Sequence, residues 1–361
     1  MSLALYRKYR PKSFREVVGQ EHVVKSLQGG LVLDKTSHAY LFIGPRGTGK
    51  TTIARLLAKT LNCEKMTEGE PCNQCYVCQE FNEGRNLDLI EIDAASNRGI
   101  DEIRNLRESV RFGPTHTKHK IYIIDEVHQL TDAAFNALLK TLEEPPSHAV
   151  FILASTEPQK IPETISSRTQ QFNFRNLTHN QILEKLTKIV KAEKLNIDDD
   201  ALRIVALSGR GSLRDAESNL TKLISFGNKK IILADAQEML GFIPFKSFYD
   251  FAGLLILGKR GEALDFVSSL YESGADLEEF SKSFIDYLRK ILILNLNPAT
   301  FVNFSGHNQE EVRMISSQAK VLSKDQIVRL IKVFMKARED MRISPIQQLP
   351  LELAVIEYLE S

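Results

Sequence analysis

Short apolar runs alternate with amphipathic stretches through the first half of the chain. Ala39–Ile43, Leu87–Ile92, Lys120–Ile124, Ala149–Ala154 and Gln170–Phe174 have the length and apolar content of buried strands. Between them, Thr51–Leu61, Ile100–Val110 and Asp132–Leu142 place apolar residues at helical spacing. Strands alternating with helices predict an α/β fold, a parallel sheet with helices on both faces. After Thr178 the strand pattern stops. Asn180–Lys194, Asp199–Leu207, Ser212–Ile224 and Asp235–Met239 read as helices, punctuated by Gly209, Gly211, Gly227 and Asn228. A further helical block follows Gly241-Phe242-Ile243-Pro244, with helices at Phe245–Leu257, Arg260–Glu272, Leu277–Leu294, Lys324–Met341 and Gln347–Leu359. The expected domains are therefore 1–177, 178–241 and 242–361.

One break in the pattern carries chemistry. Gly44-Pro45-Arg46-Gly47-Thr48-Gly49-Lys50-Thr51-Thr52 lies between a strand and a helix and fits G-x-x-x-x-G-K-[ST]. Glycines let backbone N–H groups close around phosphate oxygens, and the helix N-terminus adds positive potential. Lys50 is placed for β- and γ-phosphates and Thr51 for Mg²⁺. About seventy residues on, the strand at Ile121–Ile124 ends in Asp125-Glu126. Two acids at that place divide the work: Asp125 supports the metal ion and Glu126 polarises the attacking water. The next strand turns polar at Ser155-Thr156, where a hydroxyl serves either as a phosphate sensor or as an ordinary cap. Arg168 and Arg214 are candidates for charge stabilisation, against the bland alternative of a surface ion pair. Arg104, Arg107 and Arg111 fall at i, i+3 and i+7 of one helix, so they form either a solvated face or, with Arg98, contacts to nucleic-acid phosphates.

Composition narrows the picture. The formal net charge is +1, so any nucleic-acid contact must come from a local patch. No apolar run reaches membrane-span length and Met1–Lys8 lacks a signal-peptide core, which predicts a cytoplasmic protein without membrane contact. The 4 cysteines, Cys63, Cys72, Cys75 and Cys78, form C-x8-C-x2-C-x2-C. Four thiolates at that spacing favour a closed structural zinc site in an insertion at about 62–80, with an iron–sulfur cluster or free buried thiols as the alternatives. The intervening Thr67-Glu68-Gly69-Glu70-Pro71 is too polar to fold on its own. Because the insertion is distant from the phosphate loop in sequence, nucleotide binding is expected to be independent of the metal.

Together these residues resemble the gamma/tau family of bacterial DNA polymerase III clamp-loader subunits. The resemblance runs end to end. It is carried by Leu5-Tyr6-Arg7-Lys8-Tyr9-Arg10-Pro11, Val18-Gly19-Gln20-Glu21, the phosphate loop, the cysteine insertion, Asp125-Glu126-Val127-His128, Leu138–Pro146 and Gly211-Ser212-Leu213-Arg214-Asp215-Ala216. It implies an AAA+ core, a small helical lid and a helical collar through which five subunits assemble. It implies that ATP binding and hydrolysis, with Mg²⁺, open a sliding clamp and load it on primer–template DNA. It also implies that Tyr9, Pro11 and Val18 line the adenine pocket. Thr156 and Arg214 would be the two sensors, and Arg168 an arginine acting on the neighbouring subunit's ATP. Two details depart from the family pattern without removing a functional group: Thr169 follows Ser-Arg, and the first sensor reads Ser155-Thr156-Glu157. The family also includes longer forms whose added tail binds polymerase and helicase. The rival readings are another AAA+ machine, such as a branch-migration motor or replication initiator, and a non-catalytic assembly subunit. The first usually ends in a DNA-binding domain, whereas 242–361 lacks a basic recognition helix, and the second sits poorly with an intact Lys50, Asp125 and Glu126.

Overall fold

The structure, a computed structural model, describes residues 4–97, 99–225, 230–241, 243–297 and 309–360. Five parallel strands form one sheet: β1 (Ala39–Ile43), β2 (Leu89–Asp93), β3 (Lys120–Asp125), β4 (Ala149–Ser155) and β5 (Gln170–Asn173), in the order β2-β3-β4-β1-β5. The central strands β1 and β4 are apolar almost throughout because both their faces are covered. Side chains alternate between the faces. Leu41, Tyr122, Ile124, Phe151 and Leu153 pack with helices Ile100–Val110 and Asp132–Glu143. Their neighbours Tyr40, Phe42, Ile121, Ile123 and Ile152 pack with helices Glu21–Val32 and Lys50–Leu61.

Parallel pairing brings the carboxyl ends of the strands to one edge. Ile43 of β1 is in register with Ser155 of β4, and Asp93 of β2 with Asp125 of β3. The phosphate loop, Asp125-Glu126 and Ser155-Thr156 therefore meet at that edge, where ligands bind open α/β sheets.

Contact density divides the chain between Leu233 and Ala234, earlier than the boundary expected at 241. In the first unit, the sheet is followed by helices His179–Glu193, Asp199–Ser208 and Leu213–Ser225. A capping box starts the first of these: Thr178 accepts from the Gln181 amide, and the Gln181 side chain accepts from the Thr178 amide. The second unit is helical among its described residues. Its core is an aromatic cluster in which Phe284 lies 5.0 Å from Phe251 and 4.9 Å from Phe334, centroid to centroid. The buried Tyr287 hydroxyl donates to Gln318 Oε1 at 2.6 Å, so this polar group does not stay unsatisfied.

Among the described residues, the helices Glu21–Val32, Tyr76–Glu83 and Gln309–Ala319 and the single turns Leu5–Lys8 and Glu163–Ser166 were not foreseen. The first carries Gly29-Gly30 and buries only Val23, Leu27 and Leu31. The second is one short run nucleated within the cysteine insertion, where the Cys75 sulfur accepts from the Cys78 amide.

Candidate functional site

Gly44, Gly47 and Gly49 have φ of +150°, +73° and +102°, a region that residues with a Cβ rarely enter. At Gly47 a Cβ would also lie 1.9 Å from Ser212 Oγ. The close approach is needed because the Leu213 amide donates to the Gly47 carbonyl at 3.2 Å, tying the Leu213–Ser225 helix to the phosphate loop. Helix Lys50–Leu61 begins immediately after Gly49, so its first amides face the mouth of the loop. Lys50 is 6% exposed, and its ammonium donates to the Gly44 and Pro45 carbonyls at 2.8 and 2.9 Å. Burial pushes its pKa down, against the opposing pull of Glu126 and Asp125.

The Thr51 hydroxyl donates to Asp125 Oδ2 at 2.7 Å, which joins the loop to the end of β3. Two oxygens so placed could hold a divalent cation such as Mg²⁺. Glu126 takes φ +48°, a left-handed conformation immediately after the last residue of β3. Thr156 Oγ1 donates to Glu126 Oε2 at 2.9 Å. His128, in the same Asp125-Glu126-Val127-His128 stretch, is buried beside this pair. Its Nδ1 lies 3.1 Å from Ser155 Oγ and 3.4 Å from Glu126 Oε2, and its Nε2 lies 3.3 Å from Glu157 Oε1.

Lys50, Thr51, Asp125 and Glu126 open on a cleft of about 710 Å³. Residues 46–52, Asp125 and Glu126 line it, as do Tyr9, Pro11, Val18 and Arg214. Sequence reasoning missed other lining residues, among them Tyr6, Arg55, Glu91 and Glu217. The Arg214 guanidinium sits over the Tyr6 ring, 5.1 Å from its centroid. Arg55 pairs with Glu91. Glu217, one turn beyond Arg214, is 5% exposed, and burial raises its carboxyl to about 7 against the weaker influence of Lys185. The only local signal for Glu217 is its i+3 spacing from Arg214.

Arg168 and Thr156 are not among the lining residues. Thr156 acts on the cleft through Glu126. Arg168, at the end of helix Glu163–Ser166, pairs with Glu143 at 2.8 Å and donates to the Thr164 carbonyl at 2.9 Å. Arg104 pairs with Asp101 at 3.2 Å and Arg107 is half-buried, whereas Arg111 is exposed. Arg98 lies outside the described residues.

The sulfurs of Cys63, Cys72, Cys75 and Cys78 lie within 4.8 Å of one another and are not disulfide-bonded. Tetrahedral Zn–S bonds of about 2.3 Å put ligand sulfurs about 3.8 Å apart, and Cys72 and Cys78 sulfurs are 3.9 Å apart. Amides of Cys72, Cys75 and Cys78 donate to neighbouring cysteine sulfurs at 3.3, 3.3 and 3.4 Å, as thiolate ligands require. Burial alone would raise the Cys72 thiol, but hydrogen bonds from the Gln74 and Cys75 amides and the Cys63 and Cys75 thiols together lower it to about 6. The donor set fits one soft ion. Among the described residues no helix is long and apolar enough to cross a membrane.

Three family models match in succession. They are the DNA polymerase III delta subunit over residues 19–178, the clamp loader subunit ATPase lid domain over 181–229, and domain III of DNA polymerase III subunits gamma and tau over 231–360. The gamma subunit of Buchnera aphidicola from Schizaphis graminum is 37% identical over 354 residues, covering 98% of this chain and 97% of that protein. The chain belongs to the DNA polymerase III gamma/tau family. The tau subunit of Bacillus subtilis is 41% identical over 359 residues, and that of Escherichia coli is 37% identical over 355. The chain spans 63% and 55% of the lengths of these two tau relatives. As a member of the family it carries an α/β ATPase core, a matched ATPase lid and a helical domain III.

Proposed function

We propose that this chain is an ATP-hydrolysing subunit of a bacterial clamp loader, using ATP binding and hydrolysis to open a sliding clamp and place it on primer–template DNA. The observation that carries the reading is the Thr51–Asp125 bond of 2.7 Å beside Lys50, with Glu126 held by Thr156 on the same cleft. Family membership supplies the biological setting.

On this reading, the loop 44–52 binds the triphosphate through its amides and Lys50. Thr51 and Asp125 hold Mg²⁺, which when bound neutralises charge on the β- and γ-phosphates. Glu126 accepts a proton from the attacking water, and Thr156 keeps its carboxylate aimed. Arg214 approaches the phosphates from the lid. Tyr9, Pro11 and Val18 form the wall on the adenine side, and ADP leaves by the same cleft. The three domains are assigned as 1–177, 178–241 and 242–361. The last serves as the collar of a five-subunit assembly with other loader subunits, and Arg168 projects toward a neighbour's site. Cys63, Cys72, Cys75 and Cys78 hold structural zinc. Residues Arg104, Arg107 and Arg111 track DNA phosphates. The working compartment is the cytoplasm.

The test is ATP hydrolysis by the chain assembled with its loader subunits, with and without sliding clamp and primed DNA. Stimulation by both together is expected. Full activity of the isolated chain that neither component changes would overturn the reading, as would no hydrolysis in the assembly.

A further inference from the structure

The cysteine insertion is separated from the phosphate loop in sequence but touches the wall of the same cleft. Between Cys63 and Cys72 the chain makes a tight turn. The Thr67 amide donates to the Glu70 carbonyl at 3.2 Å, and the Glu70 amide donates to the Thr67 carbonyl at 2.9 Å. Gly69 has φ +73° and lies so close to Gln28 that a Cβ would fall 2.9 Å from the Gln28 Cβ. This turn delivers Glu70, which is 9% exposed, to the N-terminal segment. Its Oε2 accepts from the Phe14 amide at 2.9 Å. Its Oε1 accepts from the Arg15 amide and from Gln28 Nε2, both at 3.0 Å.

A second tie reaches the same segment. Lys59 lies on the helix that starts at Lys50 and is 3% exposed. Its ammonium donates to the Lys12 carbonyl at 2.6 Å, to Asn73 Oδ1 at 2.6 Å and to Asn82 Oδ1 at 2.8 Å. Asn73 sits between Cys72 and Cys75, and Asn82 is on the helix that Cys75 caps. Residues 12–15 are thus fixed at three backbone points by side chains set by the cysteine cluster. Tyr9, Arg10 and Pro11 on one side of that segment, and Val17 and Val18 on the other, line the cleft.

We propose that Glu70 and Lys59 are positioning residues for the nucleotide site, through which a metal held by the four cysteines braces the base-side wall of the cleft. This rests on the nucleotide reading of the cleft and reverses the expectation that nucleotide binding is independent of the metal. The physical reason is that the polar turn at Thr67–Glu70 has no apolar core of its own. Without the ion its conformational freedom returns, and with it the freedom of residues 12–15.

The experiment measures three quantities on the full chain: metal per chain, dissociation constants for ATP and for inorganic tripolyphosphate, and hydrogen exchange at the Phe14 and Arg15 amides. Glu70→Ala is expected to keep its metal, weaken ATP about tenfold, leave tripolyphosphate within about twofold, and speed exchange at both amides. Tripolyphosphate touches the phosphate loop alone, so a general loss of fold would weaken both ligands together. Glu70→Gln retains one carbonyl acceptor and is expected to fall between the native chain and Glu70→Ala. Lys59→Met and removal of the metal by chelation are expected to act in the same direction as Glu70→Ala. Native ATP affinity in metal-free protein, or equal weakening of ATP and tripolyphosphate in Glu70→Gln, would overturn the proposal. If the native chain bound no ATP, the nucleotide reading would fall, while unchanged exchange in Glu70→Gln would separately remove the coupling.

Discussion

The Thr156 hydroxyl donates to the Glu126 carboxylate at 2.9 Å, across the ends of two neighbouring strands. One residue is placed by β4 and the other by the left-handed turn after β3, so the bond is a product of strand order. Its consequence is that the direction of the Glu126 carboxylate is set by a partner within the chain.

Thr156→Val removes that donor while keeping the side chain's shape. We expect ATP affinity to stay within about twofold and turnover in the assembled loader to fall about tenfold. Glu126→Gln should keep affinity and lose turnover by about 10²-fold or more. Lys50→Ala should instead lose affinity, because it removes a charge contact to the phosphates. Steady-state hydrolysis combined with direct nucleotide titration separates these cases. Normal turnover in Glu126→Gln would remove Glu126 from its role.

Arg168 does not line its own chain's cleft and pairs with Glu143 at 2.8 Å. Arg168→Ala should therefore leave ATP binding by its own chain unchanged. In the assembly it should lower hydrolysis at the adjacent site by about 10³-fold, the usual scale for an arginine finger. Mixing Arg168→Ala chains with Lys50→Ala chains tests direction, since partial recovery requires action between subunits. A fully active Arg168→Ala loader would refute the assignment.

Glu217 links stability to pH. Burial raises its carboxyl from the ordinary 4.5 to about 7, so the folded chain holds the proton more tightly than the unfolded chain does. Its contribution is complete below about pH 4.5 and is lost as pH rises through about 7. The full displacement corresponds to at most about 3 kcal/mol. Glu217→Gln should match the native chain near pH 4 and exceed its stability at pH 8. Urea unfolding of the nucleotide-free chain, followed through the transition of the first unit, provides the comparison. An equal difference at both pH values would rule out the linkage.

The four thiolates should retain one zinc ion per chain through purification. Cys72→Ala should lower that content, since it removes one of four sulfurs that lie within 4.8 Å of one another. Elemental analysis finding iron, or no metal, would contradict the assignment.

How much of this was legible depended on the range of the information. The five strands and the helices Lys50–Leu61, Ile100–Val110 and Asp132–Glu143 were visible because strand and helix periods are local. The loop Gly44–Thr51 was visible because its glycines and Lys50 lie within one turn. The helix Glu21–Val32 was not, since its Gly29-Gly30 pair weakens the local signal while burial of Leu27 and Leu31 against the sheet stabilises it. Tyr6 and His128 carried no local sign of their positions, and Glu217 only its i+3 spacing from Arg214. Each is defined by a partner or a burial that comes from another part of the chain.

The sequence alone determined the periodicity of the elements, the chemistry of the loop, the paired acids at Asp125-Glu126 and the spacing of the cysteines. These rest on residues a few positions apart, where backbone geometry fixes what meets what. Only the tertiary structure decided that Thr51 meets Asp125, that Thr156 bonds Glu126, that Arg168 pairs with Glu143 and does not line its own cleft, and that Glu70 grips the backbone at Phe14 and Arg15. Those pairings depend on strand order and on the packing of distant helices. No local pattern encodes them, because many sequence separations are compatible with the same local structure and only the buried sheet selects one.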